Sequence, residues 1–346
     1  MMNFMKLNHT RELDAYFASC RKHLSDTRLN RFLDRKVTGG NEAFLQIALK
    51  QAGAREFDGP KETWPSLFLS VDAFEQSPYH RNVTAKLNSL HSDRYATEVF
   101  AGGRLFNLSA VQPDPDRELM DWMKLRALDR DAETLILSDG ELEWMLDSPS
   151  EAETNDPAAA KAHGNVLVFG LGIGYVVYMM LMNGKTDHIT VVENDPRVIH
   201  AFREYLLPLF PSHSPVTILE ADAFACWNHD FLAPYDYIYA DIWQSGEDGL
   251  FCMERLLEAE IVDSAKADFW IETSCVVPLR TLFFLHYEEL YGSAPQAVSE
   301  EYQSMMNKIR NYIASIDVTV SDPELLKQLM YDQNTLRSVL GGKICG

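Results

Sequence analysis

The sequence predicts an α/β protein: a doubly wound, mainly parallel sheet with a mixed helical/β N-terminal region before it and helices at the C-terminus. From residue 165 onward, short apolar runs alternate with amphipathic stretches, the pattern of a parallel sheet covered by helices. The first of these runs ends in Gly170-Leu-Gly172-Ile-Gly174, a glycine-rich strand-to-helix turn. The length, 346 residues, favours one large domain or two ordinary ones, because single cores stop growing near ~250–300 residues.

Residues 1 to about 55 read as mainly helical. Leu13, Tyr16, Phe17 and Cys20 recur at helical spacing, Gly39-Gly40 breaks the pattern, and 42–52 resumes it. Residues 61–150 are mixed. The runs 96–100 and 105–108 around Gly102-Gly103 read as one hairpin, and 135–137 with 141–146 as another, turned by Asp139-Gly140. The polar, Ala-rich stretch 148–162 reads as a link or lead-in. The expected strands of the sheet are 165–169, 189–193, 216–219, 237–240 and 269–272. The fourth, uncharged and aromatic-rich, is expected to be central. Helices are expected at 175–183, with Gly184 as its C-terminal cap, from Pro196 to Pro208, and over 249–261. Beyond Pro278 the chain turns helical, with a last short strand over 316–320. The division expected is 1–155, a helical and β-hairpin region, and 156–346, a Rossmann-like domain with C-terminal helices.

Charge narrows the function classes. Against 31 Lys and Arg stand 51 Asp and Glu, a net charge of −20 with no basic stripe, which argues against nucleic acid as a partner. A cationic or small neutral substrate is easier to accommodate. The five cysteines are scattered without a C-x-x-C pair, as expected of free thiols in a reducing cytoplasm. The N-terminus lacks the apolar segment of a secretory signal. Residues 166–182 form an uncharged run of 17, near the lower bound of a membrane span, but the alternating glycines read better as strand, turn and helix. No membrane partner is expected. Ten histidines show no metal-ligand spacing, and no G-x-S-x-G, phosphate-loop or H-E-x-x-H motif occurs.

Glycines at the end of an inner strand let the backbone turn sharply and approach a ligand, with helix N–H groups behind them. Glu193 closes the second strand 23 residues after Gly170, where a carboxylate accepts from the vicinal hydroxyls of a ribose. The alternative is an acidic lead into the helix at Pro196, for which Asp195 alone suffices as cap. After the third strand, Asp222 is placed to accept from an adenine amine, with Ala223 offering a backbone N–H and Phe224 an apolar face; the alternative for Asp222 is a helix cap. Asp241, ending the fourth strand, projects toward the same crevice, either as a base or ligand for a cationic group or as a tie for its own loop. Trp243 reads as core rather than pocket lining.

The run Val166-Leu-Val-Phe-Gly170-Leu-Gly172-Ile-Gly174, with Val191-Val-Glu193-Asn-Asp195-Pro196, Asp222-Ala223 and the segment ending in Asp241, resembles class I S-adenosylmethionine-dependent methyltransferases, closest to their spermidine synthase-like branch. The block from Trp144-Met-Leu-Asp-Ser-Pro-Ser-Glu151 to Asp241-Ile-Trp243 is also similar to methyltransferase-like proteins of undefined substrate. The resemblance spans about 135–275. It implies S-adenosylmethionine as cofactor, with Gly170, Gly172 and Gly174 around its methionine part, Glu193 on the ribose, Asp222 and Ala223 at the adenine, and Asp241 at the catalytic position. Ile173 stands where spermidine synthases carry an Asp, Ile242-Trp243-Gln244 where they carry serine, aspartate and proline, and the N-P-P-Y of amino-group methyltransferases is absent. The expectation is therefore a cytoplasmic methyltransferase acting on a small-molecule acceptor, with a cationic acceptor favoured and a homo-oligomer compatible. The alternatives are an aminopropyltransferase, a dinucleotide-dependent dehydrogenase, whose third glycine would fall at Tyr175, or a non-catalytic protein that kept the fold.

Overall fold

In a computed structural model of the chain, residues 5–24, 28–87, 89–114, 116–140, 143–211 and 215–344 are described. Cys345 and the Glu141-Leu142 part of the second expected hairpin lie outside them. Helices α1 (Arg11–His23) and α2 (Glu42–Gln51) come first. Strands β1 (Tyr95–Phe100), β2 (Leu125–Leu128), β3 (Ala132–Ser138) and β4 (Glu143–Leu146) follow. Helix α3 (Pro149–Lys161) leads into β5 (Gly164–Phe169), α4 (Tyr175–Asn183), β6 (Thr186–Glu193), α5 (Pro196–Ala201), β7 (Val216–Glu220), β8 (Tyr237–Ala240), α6 (Gly246–Ala259) and β9 (Ala267–Phe269). The chain ends in α7 (Val277–Leu290), α8 (Gln303–Ala314), α9 (Glu324–Tyr331) and α10 (Gln333–Leu340).

Strands β5 to β9 form one fully parallel sheet in the order β7-β6-β5-β8-β9, a Rossmann-like doubly wound arrangement. Its middle strands are apolar at consecutive positions because both faces are covered. Leu167 and Phe169 of β5 face one core with Ile238, Ala240, α6 and the C-terminal helices. Val166 and Val168 face the other with Tyr237, Tyr239, α4 and α5. Strand β8 is interior, between β5 and β9, as its composition predicts. Among the described residues no helix is long and apolar enough to cross a membrane.

Several expectations need correcting. Residues 96–108 are no hairpin: β1 pairs antiparallel with β3, Tyr95 opposite Leu137, while Phe106–Asn107 pairs with β2. Gly102 lies so close to the backbone of Arg130 that a side chain has no room there, and the chain is carried past β1 instead of folding back on it. The β3–β4 pair does form. The stretch read as a link is helix α3, with Ser148 capping Glu151 N at 3.2 Å and Pro149 in the first turn. The expected boundary at 155/156 falls inside it. Residues 5–24 also depart from that division, packing with the C-terminal helices: Phe17 stacks on Tyr291 at 4.5 Å, and Lys6–Leu7 pairs with Thr319–Val320. Strand β9 stops at Phe269 because Ile271 turns left-handed, φ 44°.

Candidate ligand site at the carboxyl edge of the sheet

Open parallel sheets bind ligands beyond the carboxyl ends of their strands, where the strand order reverses. Here that point lies between β5 and β8, and a cavity of about 380 Å³ opens there. Six of the seven residues singled out from sequence line it: Gly170, Gly172, Glu193, Asp222, Ala223 and Asp241. Gly174 does not. It caps α4 at φ 74°, and a side chain there would meet Phe202 Cε2 at 2.5 Å, so its smallness serves helix packing rather than the cavity wall.

Gly170 has φ 94° and a side chain on it would run into the carbonyl of Asp241, which fixes the close approach of β5 to β8. A side chain on Gly172 would collide with Met145 of β4. The loop between them is gripped from the N-terminal region: Tyr95 donates to Gly172 O at 2.7 Å, Tyr79 donates to Ile173 O at 2.5 Å, and Ile173 N donates to Met145 Sδ at 3.4 Å. Ile173 itself is fully buried in the core.

Glu193 ends β6 in a fixed pose. Its Oε1 accepts from Asn194 N and Asp195 N, both at 2.8 Å, and its Oε2 accepts from Leu171 N of the glycine loop at 3.1 Å. An ionised carboxylate has about four acceptor positions, so one remains on Oε2. Asp195 does the capping of α5, and it also holds two arginines: Arg94 at 2.7 Å and Arg197 at 3.0 Å from Oδ2. Burial works against its charge, but the hydrogen bonds from Arg197 and the charges of both arginines outweigh this and keep it below the usual carboxylate range. Asp222 likewise caps, its Oδ1 accepting from Phe224 N at 2.9 Å, and no described residue donates to its Oδ2. Phe224 lies under the guanidinium of Arg255, 3.7 Å from its ring centre. Trp243 is both core and wall: it is 5% exposed, donates to Trp270 O, and lines the cavity.

Asp241 is anchored by its backbone, N donating to Phe169 O at 2.9 Å, while its carboxylate receives no hydrogen bond from any described residue. Burial pushes it up, and its charge acts on Glu151 of α3. Glu151 is raised by burial first, then by the charges of Asp241 and Asp147, with a hydrogen bond from Asn155 pulling the other way. Sequence reasoning did not single out Glu151, Arg94, Tyr79, Tyr95 or Met145. Glu151 and Met145 stand in the Trp144–Glu151 block, and that was their only signal; Arg94, Tyr79 and Tyr95 come from segments far away in the chain, Arg94 to line the cavity and the two tyrosines to hold the glycine loop. Among the described residues no group of three or more His, Cys, Asp or Glu is placed to hold a metal.

Fold and site define the class of a Rossmann-like protein with a cavity of about 380 Å³ at the switch point of its sheet. No protein-family model matches the sequence, and no curated protein matches it. Among solved structures the chain is similar to MNMC2 from Aquifex aeolicus, at 14% identity over 86% of this chain and 96% of that one, with a TM-score of 0.25. So loose a likeness carries no argument; the strand order and the cavity do.

Proposed function

We propose that the protein binds S-adenosylmethionine in the 380 Å³ cavity and transfers its methyl group to a small-molecule acceptor. The observation that carries this is Glu193, held by the N–H of Leu171 in the glycine loop with one acceptor position open at the end of β6. A ribose with two hydroxyls fits that acceptor, and Asp222 with Ala223 suits the amine edge of an adenine one strand further on. The charges of the wall point the same way. Among the described residues five carboxylates face two arginines, and both arginines are held by Asp195. A sulfonium cation suits such a wall; the pyrophosphate of a dinucleotide does not. The dehydrogenase reading is further weakened at Tyr175, a bulky residue where its fingerprint requires glycine.

When bound, S-adenosylmethionine supplies an electrophilic methyl carbon. The chain's part is to hold and orient, which by itself lowers a transfer barrier substantially. Asp241, at the junction of β5 and β8 and without a donor to its carboxylate among the described residues, is placed to accept a proton from the acceptor, and its raised pKa suits a base working near neutrality. Aminopropyl transfer is the second reading. It is less well supported because Ile173 is buried in the core and leaves that loop position without a carboxylate.

Titration calorimetry with S-adenosylmethionine tests the proposal. Glu193→Ala is expected to weaken binding ~10–100-fold, the scale of about 1.5–3 kcal/mol for hydrogen bonds to a charged group. Unchanged affinity would remove the ribose assignment.

A further inference from the structure

We infer that a second cavity, next to the end of β8, is a subsite for a protonated amine and that Glu151 holds the ammonium. The inference rests on the transfer reading only in naming that amine the acceptor; the binding site stands on its own geometry.

This cavity measures about 180 Å³ and is lined by Ser150, Glu151, Thr154, Trp270 and Ser274 together with the segment around Asn107. It is small, suited to an alkyl amine or to the arm of a larger one. Most of its polar groups are already engaged. Thr154 Oγ1 accepts from Trp270 Nε1 at 3.0 Å and donates to Ser150 O at 2.8 Å, and Ser274 Oγ accepts from Val111 N at 2.9 Å. Glu151 differs. It is 7% exposed, its Oε1 accepts from Asn155 Nδ2 at 2.6 Å, and no described residue donates to its Oε2. Asn107 Oδ1 is also buried without a donor.

A buried carboxylate normally has its hydrogen bonds and a counter-charge. No Lys, Arg or His is among the described residues that line this cavity. The carboxylates nearest to Glu151 in effect are Asp241 and Asp147, and the latter is occupied by His80 Nδ1 at 2.9 Å and Thr84 Oγ1 at 2.6 Å. What the site lacks is a compact cation with several N–H donors, which describes an alkylammonium. An anion is repelled, and a neutral alcohol, unlike an ammonium, brings no charge to draw Glu151 into its ionised form. Trp270 of this cavity's wall donates its backbone N–H to Ala240 O at 2.9 Å, so the cavity adjoins the strand end that carries Asp241, the carboxylate assigned as base at the first cavity.

Ligand-observed NMR titration of the full-length protein with butylammonium and with 1-butanol tests this. Butylammonium is expected to bind at least 10-fold more tightly than the alcohol, and Glu151→Gln to abolish that preference, with folding checked by circular dichroism. If Glu151→Gln does not fold, Glu151→Asp, which draws the carboxylate back by one methylene, is expected to weaken ammonium binding in the same direction. Equal binding of amine and alcohol, or a preference that survives these substitutions, overturns the subsite. Glu193→Ala separates the two claims: amine binding is expected to persist in it. Wild-type protein that binds S-adenosylmethionine but shows no amine preference overturns the subsite alone. Wild-type protein that prefers the amine but ignores S-adenosylmethionine keeps the subsite and overturns the transfer reading.

Discussion

At Gly170 two demands coincide, a φ of 94° and the carbonyl of Asp241 in the space a side chain would fill. Gly184 has φ 71° with nothing within 4 Å, so it isolates the first demand. Gly184→Ala is expected to cost about 1–2 kcal/mol from backbone conformation alone, and Gly170→Ala distinctly more, read as the difference between their urea midpoints; equal costs would mean that the β5–β8 approach is soft. Titration gives a second residue-scale prediction. Burial keeps a proton on Asp241 in the folded protein, between the ordinary carboxylate pKa and about 8, that the unfolded chain has already lost. The folded state then binds more protons than the unfolded one, so the contribution of Asp241 to stability falls as pH rises through that window. Asp241→Asn removes that contribution, and its stability gain over wild type is expected to grow from pH 5 to pH 8; a gain independent of pH would contradict the raised pKa of Asp241. The polar residues at strand ends were legible because a strand end on a parallel sheet has only one place to point. Glu151 was not: Asn155, one turn on, donates to it and is itself held by Tyr239, and the charges of Asp147 and Asp241 act on it only in the folded chain.

Helix α3 shows what periodicity misses at the scale of elements. Its Pro157 and its run of alanines dilute the apolar stripe, so that 148–162 reads as a link, although Ser148-Pro149 and Glu151 form an ordinary helix start. Ser148→Ala is expected to cost about 1 kcal/mol, measurable by urea unfolding, and no loss would show that the cap is redundant. The mistaken hairpin at 96–108 has a different origin. Two β runs around Gly-Gly satisfy the local rule, but the partner of β1 is the longer, more apolar β3, which lies 30 or so residues on and is invisible to any local rule. Helix α1 was legible as a helix and not as part of the C-terminal core, because apolar spacing names a buried face without naming what buries it. Phe17 is fully buried against Phe284 and Tyr291, so Phe17→Ala should cost about 3–5 kcal/mol and loosen α7 as well as α1, read by amide exchange. Protection of α7 unchanged would place α1 outside that core.

For the whole molecule, the order β7-β6-β5-β8-β9 determines where the chemistry can be, since only one edge of the sheet brings the glycine loop, Glu193, Asp222 and Asp241 together. That much followed from counting alternating elements. The grip of the N-terminal region on the glycine loop, through Tyr79, Tyr95 and Met145, and on Asp195 through Arg94, did not, because it joins segments that share no local pattern. The net charge of −20 and the carboxylate-rich cavity together favour a cationic ligand over a phosphorylated one. The most direct measurement is a parallel calorimetric titration of the purified protein with S-adenosylmethionine, its decarboxylated form and NAD. Saturable micromolar binding of S-adenosylmethionine, in preference to the other two and lost in Glu193→Ala, is the predicted result. Preference for NAD, or no binding of any of the three, would contradict it.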